Sequence, residues 1–186
     1  MAVLIEAISV IVRRDRIAVR YAGGWEAFEH DVPNGTLCAD DDLARVGFMS
    51  PPDAKAFIAA LEEEGLRFLV DGVAEDVAVV DQQQGPLNPC RWLTFGKRTL
   101  EGGGTVATCW HTEGTGPAAP LATPAGWEFE GSLSQQFHFV PAERMEEHVH
   151  LLRRDAGQDV YLDLTTGREI YIARTEGEDE GGSGAG

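Results

Sequence analysis

The chain has 186 residues, with 31 acidic against 15 basic side chains and a formal net charge of −16. An apolar fraction of 43% beside 25% charged residues is ordinary globular composition and excludes wholesale disorder. A surface this acidic repels phosphate backbones and anionic headgroups, so neither nucleic acid nor a membrane is expected as a partner.

Residues 2–12 are apolar and rich in β-branched side chains, which predicts one buried strand. No basic residue precedes the stretch and Glu6 interrupts it, so it does not read as a signal peptide. It is too short to span a bilayer, and a cytoplasmic location is expected. Ile17 and Tyr21, at i and i+4, predict a helix over 15–22 that Gly23-Gly24 break, with a further turn of helix over 25–30. Pro33-Asn34-Gly35 signals a turn. Two short strands, 36–38 and 43–49, then flank a loop at Asp40-Asp41-Asp42.

Ser50-Pro51-Pro52-Asp53 combines a hydroxyl cap, first-turn proline and a carboxylate at the positive end of the dipole, and starts a helix. Ala54, Phe57, Ile58 and Leu61 repeat at i, i+3, i+4, i+7 and form its apolar stripe, and Gly65 ends it. Residues 66–70 and 77–80 read as strands. The order β, α, β, β, α, β over residues 1–82 predicts an α+β fold with an N-terminal ferredoxin-like unit.

Gln82 to Pro89 reads as a connector. A strand-rich α+β half follows over 83–174, packed against the first unit or continuous with it. Its expected elements are a hairpin of 90–98 with 105–112, strands at 127–130 and 134–140, a helix over 142–154, and a last hairpin of 160–164 with 168–174 turning at Thr166-Gly167. Residues 175–186 hold no large apolar side chain and read as a disordered acidic tail. Glu176, Glu178, Asp179 and Glu180 place only four of the sixteen excess negative charges there.

Signatures of chemistry are sparse. Three scattered cysteines, Cys38, Cys90 and Cys109, form neither a disulfide framework nor a Cys-x-x-Cys site and are expected as mostly buried thiols. Arg91 beside Cys90 could support a thiolate, with His111 or His138 as a base, but a buried cysteine at a strand start is the plainer reading. On a helix over 142–154, Glu143, Glu146, Glu147 and His150 share one face, and Glu147-x-x-His150 has the spacing of di-iron carboxylate sites. No second such motif exists, so the stripe is read as a solvated face and no metal is expected. Gly102-Gly103-Gly104 lacks the Gly-Lys-Ser/Thr of a phosphate loop, and neither a Gly-x-Ser-x-Gly elbow nor a dinucleotide fingerprint occurs, so no cofactor is expected.

Charge is the strongest signal. Asp40, Asp41 and Asp42 in a loop, and Glu62, Glu63 and Glu64 at a helix C-terminus where the dipole disfavours them, form a candidate partner-binding surface. The expectation is a non-enzymatic acidic interaction module for a basic protein partner, such as an inhibitor or immunity-type antitoxin. The alternative is a small-molecule-binding protein or enzyme with a composite pocket between the halves, drawing on Cys90, Trp92, Trp110 and His138.

Overall fold

The apolar run at residues 2–12 is not one strand. Ala7 takes a left-handed conformation (φ 48°), and the corner separates β1 (Ala2–Ile5) from β2 (Ile8–Arg13). Gln82 holds the corner from the far side: its Oε1 accepts from Ala7 N at 2.8 Å, and its backbone N donates to Ala7 O at 2.9 Å. The computed structural model describes residues 1–114, 116–136, 149–155, 158–163 and 169–173, the last three as backbone. The chain forms two compact units, Met1–His138 and Phe139–Gly186.

In the first unit, β2 leads straight into α1 (Arg14–Arg20), followed by α2 (Gly24–Asp31). Two strands, β3 (Cys38–Ala39) and β4 (Leu43–Phe48), precede α3 (Pro51–Glu63). The start of α3 is the one its sequence dictates: Ser50 is extended and its hydroxyl accepts from Asp53 N. A small hairpin, β5 (Leu69–Val70) with β6 (Val73–Ala74), leads to β7 (Val77–Asp81) and β8 (Gly85–Pro86). The pair β9 (Leu93–Thr99) and β10 (Thr105–His111) forms the expected antiparallel hairpin, and β11 (Leu121–Ala122) and the short α4 (Leu133–Gln136) complete the unit.

Hydrogen bonding sorts the strands into a five-stranded antiparallel sheet, β3-β4-β2-β7-β8, and a four-stranded sheet, β11-β1-β10-β9. Strand β1 therefore leaves its sequence neighbour and pairs with β10, Leu4 opposite Thr108. Side chains alternate across the five-stranded sheet. Val10, Val12, Val46, Val77 and Val79 pack under α1, α2 and α3, with Ile17, Phe28, Phe57 and Leu61 completing that core. On the reverse face Ile11, Leu43, Ala78 and Val80 meet Val3, Ile5, Ala107 and Cys109 of the other sheet. Both faces of β2 are covered, which explains why its sequence is continuously apolar instead of alternating.

Residues 127–130, expected as a strand, form irregular backbone that bends at Phe129 and turns at Glu130, and Ser134 lies on α4, not on a strand. In the second unit β12 (Val149–Asp155), β13 (Gln158–Asp163) and β14 (Glu169–Ala173) make an antiparallel sheet. The pairing of β13 with β14 is the predicted final hairpin. The predicted helix over 142–154 is corrected: Val149–Asp155 is strand, with His150 opposite Leu162 and a register shift between Leu151 and Arg153. Pairing with β13 overrides the local helical period, and His150 is not on a shared helical face with Glu147, which lies outside the described residues.

Among the described residues no helix is long and apolar enough to cross a membrane.

Candidate functional site

The two acidic groups differ in their surroundings. Asp40 is 3% exposed. Its Oδ1 accepts from Asp42 N at 2.8 Å and Leu43 N at 2.7 Å, and its carbonyl accepts from Arg14 Nη1 at 2.8 Å. Its carboxylate closes a turn at the entry to β4 and is not presented at the surface, whereas Asp41 and Asp42 are exposed. Glu62, Glu63 and Glu64 are all exposed at the end of α3, and none has an ion-pair partner among the described residues. Tyr21 registers the local field. Its pKa is pushed up to about 12 by burial, by its hydrogen bond to Asp31 and by the charges of Asp31 and Glu64.

The basic residues at the end of β2 and along α1 are turned to internal use. Arg13 forms a two-point pair with Asp15 (3.1 and 2.9 Å). Arg16 and Arg20 approach the buried Asp76 at 3.6 and 3.3 Å. Arg14 stacks over Trp25 with its guanidinium carbon 4.0 Å from the ring centroid. This segregation leaves the acids at the C-terminal end of α3 without neutralising neighbours from α1.

A cleft of about 520 Å³ lies where the β5–β6 hairpin meets the segment entering β9 and the end of β10. Asp71 and Gly72 both have positive φ at the hairpin tip, the backbone that a tight two-residue hairpin turn demands. Trp92, 8% exposed, forms the inner wall and donates from Nε1 to Ala74 O at 3.1 Å. Arg13 lies over its ring at 5.9 Å. Asp71, Glu75 and Glu113 bring three carboxylates to the lining, against Arg13, already paired with Asp15, and Arg91. His111 also lines the cleft, and Glu113 N donates to its Nδ1 at 3.4 Å.

The four expected pocket residues are not gathered at one point. Trp92 lines the cleft. Trp110 sits on the opposite face of β10 from Cys109 and lies across Gly96 of β9, where a Cβ would come within 2.8 Å of the indole. Cys90 is half-buried, bridged through its backbone to Ala74, and is not among the lining residues. His138 lies outside the described residues. Among the described residues no group of three His, Cys, Asp or Glu side chains could hold a metal ion. Asp71, Glu75, Glu113 and His111 are the lining residues that the sequence did not connect, since only the docking of residues 89–92 on β6 brings them together.

All three cysteines are free thiols, and burial holds each above the ordinary thiol range. Cys38 is pushed up to about 11 by burial, against the pull of the Arg45 charge. Its thiol is therefore more easily ionised in the unfolded chain. The stability this confers is complete below the ordinary thiol pKa and is lost as the pH rises through about 11. Stability from urea unfolding at pH 8 and pH 10.5 should fall in the wild type and fall less in Cys38→Ala, the difference approaching about 3 kcal/mol at full ionisation. An identical slope in both proteins would assign the alkaline loss elsewhere, first to Cys90 and Cys109, which burial also raises.

Comparison with known proteins returns no matching family model, no matching curated protein and no matching solved structure.

Proposed function

We propose that this chain is a non-enzymatic interaction module that binds a basic protein partner through its acidic surface, in the manner of an inhibitor or immunity-type protein. The carrying observation is the segregation of charge: the arginines of α1 are held by Asp15, Asp76 and the Asp40 carbonyl, while Glu62, Glu63 and Glu64 stand exposed and unpaired among the described residues. Unpaired carboxylates at a helix C-terminus are unfavourable locally and steer a cationic partner at long range. The exposed hairpin residues Leu69 and Val70, each 40% exposed, supply apolar surface next to the acid-lined cleft. An apolar centre with a charged rim is the usual anatomy of a protein interface. The raised thiols support the non-enzymatic part of the reading, because none is set up as a thiolate nucleophile.

The ferredoxin-like unit belongs to the same reading. Helical connections join β2 to β3 and β4 to β7, and the order β3-β4-β2-β7 is the one in which each helical crossover spans a single antiparallel strand. A small-molecule pocket is the second reading, favoured by the cleft that Trp92 and His111 share.

Native mass spectrometry of the protein isolated gently from its own cells tests the proposal. A basic protein should accompany it at fixed stoichiometry. The triple variant Glu62→Lys, Glu63→Lys, Glu64→Lys should bind that protein about tenfold or more weakly, with a flatter dependence on salt. Unchanged affinity and salt dependence would remove this face from the interface, and a bound small molecule in place of a protein would favour the Trp92 cleft.

A further inference from the structure

A second cavity, about 230 Å³, opens between the β1–β2 corner, the end of β4 and the loop ahead of α4. Its lining includes two buried residues of opposite charge, Glu6 and Arg45, and the apolar side chains of Phe48, Met49, Trp127 and Leu133. Arg45 is 2% exposed. Its three nitrogens donate to Ser9 Oγ (2.9 Å), Thr36 O (3.3 Å) and Glu6 O (2.8 Å), all uncharged acceptors. Among the described residues no carboxylate forms an ion pair with it. A guanidinium buried this deeply is costly unless an anion meets it. Burial lowers its pKa, and the charges of Cys38 and then Glu6 partly offset that effect.

The Glu6 carboxylate, in turn, does not reach Arg45. Its Oε1 accepts from Ser134 N at 2.9 Å and Ser134 Oγ at 2.7 Å, while Oε2 accepts no hydrogen bond among the described residues. Trp127 also lines the cavity, and its Nε1 is buried without an acceptor among the described residues. The backbone is built to keep these groups in place. A Cβ at Gly47 would lie 2.5 Å from Arg45 Nη2, so only glycine leaves the guanidinium its site. The left-handed Ala7, a conformation unfavourable for a residue with a side chain, sets the corner beside Glu6.

We propose that this cavity binds a free amino acid with an apolar side chain. The carboxylate of such a ligand would complete Arg45. Its ammonium would face the open oxygen of Glu6, and its side chain would lie against Phe48, Met49 and Leu133. A zwitterion answers both buried charges at once. A simple carboxylate would set its charge against Glu6, and a simple amine would set its charge against Arg45. The volume suits a branched aliphatic or single-ring side chain, since a cavity of about 150 Å³ already admits benzene. This site is separate from the acidic surface and the Trp92 cleft, and neither reading depends on the other.

Calorimetric titration of the full chain with L-leucine and L-phenylalanine tests the assignment, beside 4-methylpentanoate and 3-methylbutylamine, which each lack one charge of leucine. At least one of the two amino acids should bind saturably, and both single-charge analogues should bind about tenfold or more weakly. Ala125 is exposed on the cavity wall. Ala125→Trp should fill the space and abolish binding while leaving the thermal midpoint unchanged. Absence of binding by both amino acids up to about 10 mM, binding that survives Ala125→Trp, or a carboxylate that binds as tightly as leucine would each overturn the assignment.

Discussion

Asp76→Ala is expected to destabilise the first unit by about 3 kcal/mol, within the range for removing one partner of a buried charge network. Asp76 is fully buried. Its Oδ2 accepts from Arg67 N at 2.9 Å and lies 3.3 Å from Arg20 Nη1, while Oδ1 lies 3.6 Å from Arg16 Nε. Its main chain also exchanges bonds: Asp76 N donates to Arg67 O at 2.9 Å, and Asp76 O accepts from Arg13 N at 3.0 Å. One residue thus ties α1, the chain leaving α3 and the entry to β7. Alanine would keep the main-chain bonds but leave Arg67 N without its acceptor and Arg20 without its counter-charge, while Arg16 would keep only Asp15, at 3.5 Å. The arginine side chains are 32% and 23% exposed and can turn toward water, which places the cost at the lower end of the range. Asp76→Asn keeps an oxygen for Arg67 N and should recover part of the loss. Urea midpoints for the three proteins at low and high salt provide the check. The loss should persist in salt, because the site is screened from solvent ions. Equal stability of wild type and Asp76→Ala would contradict the ion-pair account. The variant also bears on function: releasing Arg16 and Arg20 puts positive charge on a face where the proposed partner is positive, so its binding should weaken as well.

What the sequence makes legible is local. Helix α3 follows from a cap, two prolines and a four-residue stripe, and all four stripe positions, Ala54, Phe57, Ile58 and Leu61, are buried. The β9–β10 hairpin and the last hairpin likewise follow from apolar runs separated by turn residues. The break at Ala7 does not, because no glycine marks the left-handed position and largely apolar stretches lie on both sides of Glu6-Ala7. What places β1 in a different sheet from β2 is pairing with residues more than a hundred positions away. The helical reading of residues 149–154 fails for a related reason: paired leucines and nearby glutamates mimic a helical stripe, and only β13 decides otherwise. At the candidate sites, Asp40, Asp41 and Asp42 are indistinguishable as letters, yet the first is a buried turn cap and the others face solvent. A usable signal was present at the second cavity. Glu6 interrupts an apolar run, and Arg45 stands inside a strand that is otherwise apolar, two residues before Gly47 on the same face. A charge inside a buried strand has to be met by something, and the glycine beside it marks the room it takes.

Phe28→Ala should be the most damaging single truncation in the helical layer, at about 3 to 5 kcal/mol. Helix α2 has weak credentials of its own. It has eight residues, opens at Gly23 with φ 81° and carries no side-chain cap. An isolated helix of that length is not stable in water, so α2 exists because of what it buries. That burial centres on Phe28, which is 1% exposed. Its ring meets Tyr21 edge-on at 5.6 Å, Trp25 at 5.6 Å and Phe57 at 6.4 Å, and Phe57 in turn meets Phe48 at 5.4 Å. The ring therefore joins α1, α2 and α3 to the sheet through one contact chain. Its loss removes the buried area and leaves a cavity among rigid neighbours that cannot close over it. Phe28→Leu, which retains most of the volume, should cost far less. Helical circular dichroism should fall in Phe28→Ala by more than one residue's worth if α2 detaches. Tyrosine titration gives an independent reading, because burial is the largest cause holding Tyr21 up at about 12. Opening the cluster admits water to the phenol, so the Tyr21 pKa should fall back toward its ordinary value in Phe28→Ala and stay high in Phe28→Leu. An unchanged Tyr21 titration in the alanine variant would mean that α2 stays docked, with Asp31 still on the phenol, and that Phe28 is not what holds it.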